Sequence, residues 1–247
     1  MRNVLKKTLL ATAVAGAALA SSAAMAEVTG NISVVSKYVL RGITKDMENN
    51  NTAIQGGLDY GHESGFYAGY WGSNLSYSAS DDDDTPETGF ENDFYGGYAG
   101  EVGGFSYDVG VIYYYYMGVD DADAPELAAS VGFGPVTLGM KYLMDDVIWG
   151  NEGDIYWTAS AGTDLPMDFS ISGTLGFYTY EDDDASNDYI ADGTTTEDSG
   201  FRHLDLTLAH PLGDTGADMS ITYIVGGEDR SGSEQGDTVV FGVSYGF

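Results

Sequence analysis

The chain has 247 residues, of which 39 are acidic and nine are lysine or arginine, and it has no cysteine. This excess of negative charge excludes nucleic-acid binding as a function. The length is ample for a core that needs no disulfide bonds.

The first 26 residues predict a secretory signal peptide. Arg2, Lys6 and Lys7 precede a short apolar run rich in alanine, and the run ends in the small-residue motif 24–26. We expect cleavage after Ala26, the alternative being an uncleaved anchor, for which the run is short. The mature chain, residues 27–247, then forms one domain with six lysine or arginine residues against 39 acids, a formal charge of −33.

The mature chain predicts strands. It has no apolar run of eighteen residues, which excludes a helical membrane protein, and its 19 tyrosines and 35 glycines suit short strands joined by turns. Apolar residues alternate with small or polar ones in twelve segments. These segments lie near residues 28–41, 53–60, 66–75, 90–99, 105–117, 127–133, 136–143, 155–162, 169–178, 204–208, 219–225 and 238–247.

The connections between these segments predict a barrel. Long or acidic connections follow the odd-numbered strands, and mostly short ones follow the even-numbered strands. An even-stranded outer-membrane barrel has such an arrangement, with turns at one rim and longer loops at the other. We therefore expect an all-β, transmembrane, antiparallel up-and-down β-barrel of about twelve strands. The alternative is a soluble β-sandwich with the aromatic residues in its core.

The last seven residues look like the C-terminal segment that the barrel assembly machinery reads in outer-membrane proteins. The chain ends on an aromatic residue, and apolar residues alternate before it at Phe241, Val243, Tyr245 and Phe247. The likeness implies insertion into the outer membrane of a Gram-negative bacterium, with the lipid bilayer and lipopolysaccharide as surroundings.

Residues 36–46 and 53–74 resemble a family of proteobacterial outer-membrane proteins, the TorF-type porins. The family opens its mature chain with a Tyr-x-x-Arg-Gly element, here residues 38–42, and continues with a hairpin rich in glycine and aromatic residues, here 56–74. The resemblance implies a barrel and a pore, and it brings no catalytic residue, cofactor or known substrate.

A set of charged residues is expected to point into the lumen, because charge facing lipid is costly. The set could form a constriction with opposed cationic and anionic walls, or internal ion pairs that fill a narrow barrel. Its members are Lys37, Arg41, Asp59, Asp93, Asp108, Lys141, His203 and Asp205.

Four acidic stretches, 80–87, 119–126, 181–188 and 226–234, are expected to be solvated external loops. None has the spacing of a calcium-binding EF-hand loop, so we predict no resident metal. The loops could share divalent ions with lipopolysaccharide, and they should concentrate cations at the mouth of the barrel.

These observations predict a porin for small hydrophilic solutes that prefers cations. A phospholipase is the rival enzyme class, but it needs histidine and serine on the lipid side, whereas His203 has the parity of the lumen and His62 and His210 lie at turns. A non-conducting structural or ligand-binding barrel, with its acidic loops as the working surface, is the other alternative. We expect no enzymatic activity and no cofactor.

Overall fold

The computed structural model describes residues 26–44, 51–76, 88–181 and 195–247. The predicted signal peptide up to residue 25, the acidic run 81–84 and nearly all of the stretch 181–188 lie outside these residues. No helix in the described part of the chain is long and apolar enough to cross a membrane.

The twelve predicted strands form one closed antiparallel barrel, which confirms the predicted fold. Each strand pairs with its neighbours in the sequence, and β1 also pairs with β12 to close the ring. The strands are β1 Glu27–Val35, β2 Ala53–Gly61, β3 Phe66–Asn74, β4 Phe90–Val102, β5 Phe105–Met117, β6 Ala124–Phe133, β7 Val136–Leu143, β8 Ile155–Asp164, β9 Ser170–Thr179, β10 Ser199–Pro211, β11 Ala217–Gly226 and β12 Thr238–Gly246.

The alternation in the sequence places one face of every strand outside. In β12 the side chains of Val239, Phe241, Val243 and Tyr245 are exposed, while the residues between them face the lumen. The same outward apolar face continues around the ring. An apolar belt that encircles the whole barrel is far larger than the apolar patches of water-soluble monomers, and it matches the lipid-facing surface of membrane barrels.

The two rims of the barrel differ in their connections. One rim carries the short turns that follow the even-numbered strands, together with the start of β1 and the end of β12, and we call it the turn rim. The other carries the long connections that follow the odd-numbered strands, and we call it the loop rim. The half of the lumen next to each rim is called the turn half or the loop half.

Residues of the first strand and the last residue of the sequence close the ring. The backbone amide of Gly30 donates to the carbonyl of Phe247 at 2.8 Å, and the amide of Phe247 donates back at 2.9 Å. The phenyl ring of Phe247 lies over Gly30 on the outer face, where a Cβ atom at position 30 would come within 2.6 Å of the ring. A glycine at this position therefore makes room for the terminal aromatic residue.

The first strand is shorter than the sequence predicts. It ends at Val35, whereas the alternation of apolar residues continues to Leu40, and residues 36–44 turn into the barrel as a segment that we call the strap. The reversal uses two residues in the left-handed region, Arg41 with φ 46° and Gly42 with φ 74°. The apolar core consequently lies inside the loop half, where Tyr38 and Leu40 of the strap pack with inward residues of the strands and loops.

Candidate functional site in the lumen

The strap occupies the loop half of the lumen. Tyr38, Leu40 and Arg41 are 2%, 8% and 5% exposed, which are values for a packed protein interior. The inward side chains around them come from β3, β4, β5, β6, β8 and β9. The strap is therefore packed inside the barrel at this level.

Arg41 makes the densest set of contacts in the strap. Its guanidinium donates two hydrogen bonds to the Glu126 carboxylate of β6, at 2.8 and 2.7 Å. It also donates to the hydroxyls of Tyr178 at 2.8 Å and Tyr114 at 3.1 Å, and it lies 4.8 Å from the centre of the Tyr156 ring. The planar fork of arginine suits this two-bond pairing with a carboxylate. One side chain thus joins the strap to four strands.

Further hydrogen bonds tie the strap to the wall and to the β11–β12 loop. The Tyr38 hydroxyl donates to Oε2 of Glu91 on β4 at 2.6 Å, and the Lys37 ammonium donates to the Thr238 hydroxyl at 3.1 Å. At its far end the Thr44 hydroxyl donates to the carbonyl of Gly236 at 2.5 Å. The strap therefore spans the lumen from β4 to the β11–β12 loop.

Two of the loops at the loop rim fold over the strap. Trp149, in the β7–β8 loop, packs edge-on against Tyr114 and donates its indole N–H to the carbonyl of Ala122 at 2.7 Å. In the β11–β12 loop, Arg230 pairs with the buried carboxylate of Asp154. These contacts bury Val119, Ala122 and Asp229, which lie in stretches that the sequence predicts to be solvated, and also Val147 of the β7–β8 loop.

A second polar chain lies behind Arg41. Nδ1 of His203 is 2.7 Å from Oδ1 of Asp205, and its Nε2 is 2.6 Å from the hydroxyl of Tyr156. His203 is 2% exposed and faces the lumen, so it does not meet the geometry that a lipid-side hydrolase requires. A Cβ atom at Gly42 would collide with His203, which explains the glycine of the Tyr-x-x-Arg-Gly element.

The turn half carries two tyrosine–aspartate pairs on the wall formed by β2 to β5. Tyr95 of β4 reaches over β3 and donates to Oδ1 of Asp59 on β2 at 2.5 Å. Tyr67 of β3 reaches the other way over β4 and donates to Oδ1 of Asp108 on β5 at 2.9 Å. All four residues are half-buried, so the pairs line this half of the lumen and keep part of their surface accessible.

The facing wall of the turn half is lined by small hydroxyl residues. Ser160 and Thr174 are hydrogen-bonded at 3.0 Å, and Thr207 and Thr222 at 2.8 Å. Their hydroxyls pair across neighbouring strands and add polarity without charge.

Charge divides between the two halves of the lumen. Every lysine and arginine in the described part of the chain lies in the loop half or at the loop rim. Two are in the strap, Lys141 and Arg202 are at the loop ends of their strands, and Arg230 is in the β11–β12 loop. Asp59 and Asp108 lie in the turn half, where none of the described residues is a lysine or arginine. Asp93 lies between the two halves and is 2% exposed, and no described residue hydrogen-bonds to its Oδ1.

The structure brings some of the sequence-predicted residues together and separates others. Arg41 and Lys141 meet at the Tyr114 hydroxyl, to which the Lys141 ammonium donates at 3.0 Å. His203 and Asp205 form their own pair, Lys37 reaches the loop end of β12, and Asp59 and Asp108 lie in the other half.

Sequence reasoning missed the carboxylate partners of the strap, Glu91 and Glu126. The stretch that ends at Glu126 predicts a solvated loop because it is acidic and contains Pro125, yet β6 begins at Ala124 and Glu126 is 1% exposed. Its parity was a usable signal, because Glu126 lies one residue before the outward-facing Leu127.

Comparison with known proteins identifies a family and a fold. A family model described as a bacterial protein of unknown function, Gcw_chp, matches residues 19–247. Among curated proteins, no sequence matches this chain.

Solved structures similar to this barrel include two porins and a phospholipase. The KdgM porin in complex with disordered oligogalacturonate has a TM-score of 0.50 at 8% identity, over 89% of this chain and 98% of that one. The NanC porin has a TM-score of 0.51 at 10% identity, over 87% and 97%. Outer membrane phospholipase A from Escherichia coli has a TM-score of 0.45 at 12% identity, over 88% and 92%. At these identities the likeness to the two porins concerns the fold.

Proposed function

We propose that this chain, which belongs to the bacterial Gcw_chp family, is a cation-preferring porin for small hydrophilic solutes in the outer membrane of a Gram-negative bacterium. The observation that carries the proposal is a polar lumen inside a closed, apolar-belted barrel, with carboxylates and no described lysine or arginine in its turn half. A field of one sign in a narrow channel favours ions of the other sign. The porin fold of the similar structures is consistent with this function.

The orientation and biogenesis of the barrel follow from the same proposal. In outer-membrane barrels the short turns and both termini face the periplasm, and the longer loops face outward. A signal peptide cleaved after Ala26 would export the chain, and the barrel assembly machinery would read the alternating residues that end at Phe247. The acidic outer loops would meet lipopolysaccharide and its divalent ions. Membership of the TorF-type porins belongs to this proposal and is supported by residues 38–42.

Conduction requires the strap to leave the lumen, so we propose that the strap is a gate. Its polar anchors are hydrogen bonds and one ion pair, and such contacts can exchange with water when the strap moves out; the apolar packing of Tyr38 and Leu40 would also have to be given up. The structure then represents the closed state, in which Arg41 holds the strap against Glu126.

An engineered disulfide tests the gate in a chain that has no native cysteine. A Cβ atom at Gly236 would lie 4.0 Å from Oγ1 of Thr44, so Thr44→Cys with Gly236→Cys brings two sulfur atoms within reach of a bond. Single-channel conductance would be recorded in a planar bilayer under a salt gradient, before and after reduction.

The expected result is silence in the oxidised double variant and discrete steps after reduction, with a reversal potential that favours cations. The single variant Thr44→Cys is the matched control and should conduct in both states. Equal conductance with the disulfide formed would refute the gate. A reversal potential that favours chloride would refute the cation preference.

A non-conducting structural or ligand-binding barrel is the second candidate, and the burial of the Arg41–Glu126 pair favours it. If the reduced double variant and Arg41→Ala both insert as folded barrels and pass no current, this second function replaces the porin. We propose no catalytic reaction, because His203 pairs with a phenol and a carboxylate inside the lumen and hydrogen-bonds to no serine among the described residues.

A further inference from the structure

We infer that the turn half of the lumen binds organic cations at two successive subsites, each made of one tyrosine ring and the carboxylate that it holds. The inner subsite is Tyr95 with Asp59, and the outer one, nearer the turn rim, is Tyr67 with Asp108. The inference rests on the proposed function, because the solute would reach these subsites through the pore. It adds the chemical class of that solute.

Glycines on the opposing strands let both tyrosines lie close to the wall. Tyr95 lies opposite Gly69 in the β3–β4 register, and Tyr67 lies opposite Gly97. A Cβ atom at Gly69 would come within 2.4 Å of Cζ of the Tyr95 ring, and one at Gly97 within 2.5 Å of the Tyr67 hydroxyl. The Tyr95 ring and the Tyr67 hydroxyl therefore rest on bare backbone, and Tyr95 also packs against the apolar core of the loop half.

The carboxylates are fixed in turn by the tyrosine hydroxyls. Each accepts one phenolic hydrogen bond through its Oδ1, and no described lysine or arginine lies in this half of the barrel to neutralise it. A carboxylate at the edge of an aromatic face, both preorganised, is the chemistry that recognises ammonium groups, since the ring attracts a cation through its quadrupole.

Asp93 is an independent observation at the inner end of the same row. It lies two residues before Tyr95 on the same inward face of β4, toward the strap. It is 2% exposed, and its Oδ1 has no hydrogen-bond partner among the described residues. A buried carboxylate oxygen without a donor is costly, and a solute that carries an N–H or O–H group beside its positive charge would supply that donor.

The arrangement disfavours other classes of solute. Anions meet uncompensated carboxylates. Calcium takes six to eight oxygen ligands, and the described residues contain no group of three metal-binding side chains. A neutral sugar could stack on the rings but would leave both charges unpaired.

The spacing of the carboxylates makes the subsites separate. Asp59 and Asp108 lie on strands three spacings apart, about 14 Å across the sheet, and on different rows of the register. A compact organic cation therefore occupies one subsite at a time and can step between Asp59 and Asp108.

The experiment is calorimetric titration of the refolded full chain with choline chloride in 150 mM sodium chloride, which screens the outer loops to about 8 Å. The test variant is Asp59→Asn with Asp108→Asn. The matched control, Asp145→Asn with Glu152→Gln, removes the same charge from exposed positions of an outer loop. Maltotriose is the neutral comparison probe, and each single aspartate variant is titrated in case the double variant fails to fold.

The expected result is saturable choline binding whose Kd rises at least tenfold in the double aspartate variant and less than twofold in the outer-loop control. Tyr67→Phe with Tyr95→Phe should weaken binding by less than the aspartate variant, because the rings remain. Equal weakening in test and control, no saturation by the native chain, or tighter binding of maltotriose would overturn the inference.

The titration is independent of conduction. Choline binding in a barrel that passes no current would support the two subsites and refute the porin function. Conductance with cation preference but without choline binding would support the porin function and refute the subsites.

Discussion

Replacing Arg41 by alanine should release the strap. In the native chain the guanidinium and the Glu126 carboxylate are 4% and 1% exposed and share two hydrogen bonds. Removing one partner of such a buried pair typically costs 3–5 kcal/mol, because the other charge is left uncompensated. Tyr114 still donates to Glu126 at 2.8 Å, so we expect the lower value, about 3 kcal/mol, equal to about two powers of ten in the opening equilibrium.

A single introduced thiol can measure this opening. Leu40 is 8% exposed in the strap, and Leu40→Cys provides the only thiol of the chain. When opening is fast relative to modification, the rate of labelling by a maleimide follows the population of the open strap. Arg41→Ala should raise that rate about a hundredfold. Asp145→Cys, in an exposed outer position, should be labelled equally fast in both backgrounds.

A double variant separates the ion pair from general damage. Replacing both partners of a buried pair by apolar residues of similar volume is often nearly neutral. Arg41→Met with Glu126→Met should therefore return the labelling rate to within about tenfold of the native rate. Labelling of Arg41→Ala within threefold of the native rate, or of the double methionine variant as fast as Arg41→Ala, would refute the reasoning.

Three glycine substitutions test other contacts. Gly30→Ala should lower the free energy of unfolding by about 1–3 kcal/mol, because the new Cβ would meet the Phe247 ring at 2.6 Å. Urea titration in vesicles measures this free energy. The control Gly200→Ala, which has open space around it, should leave it unchanged. Gly42→Ala should raise the labelling of Leu40→Cys about tenfold, since a side chain at positive φ costs about 1–2 kcal/mol. Gly69→Ala should push Tyr95 off Asp59 and weaken choline binding severalfold; unchanged affinity would contradict the geometry assigned to the inner subsite.

The sequence predicts the barrel well because each strand is specified by residues that are close together in the chain. Alternation with period two is readable in each strand, and the alternation of short and long connections is readable between them. The strap could not be predicted in the same way. Tyr38 and Leu40 continue the parity of β1, and the positive φ values at Arg41 and Gly42, which turn the chain inward, leave no periodic trace.

The site shows the same division between local and distant information. The lumenal parity of Asp59 and Asp108 follows from their own strands. Their tyrosine partners depend on the register of the pairs β2–β3, β3–β4 and β4–β5, which no single segment encodes. Glu126 was missed for a related reason, since its partner lies 85 residues away in the strap.

The crossed tyrosines have a mechanical consequence. Tyr95 and Tyr67 run perpendicular to the strands in opposite directions, and together they fasten β2, β3, β4 and β5 to one another from the inside. Backbone hydrogen bonds resist the separation of neighbouring strands, but these two braces also resist bending across a four-strand arc. In the turn half, the opposite wall carries short hydroxyl pairs between adjacent strands, while the bond from Tyr156 to His203, which crosses β9, lies in the loop half. Lateral pressure from the bilayer should therefore flatten the barrel on the hydroxyl side, while the braced arc keeps its curvature.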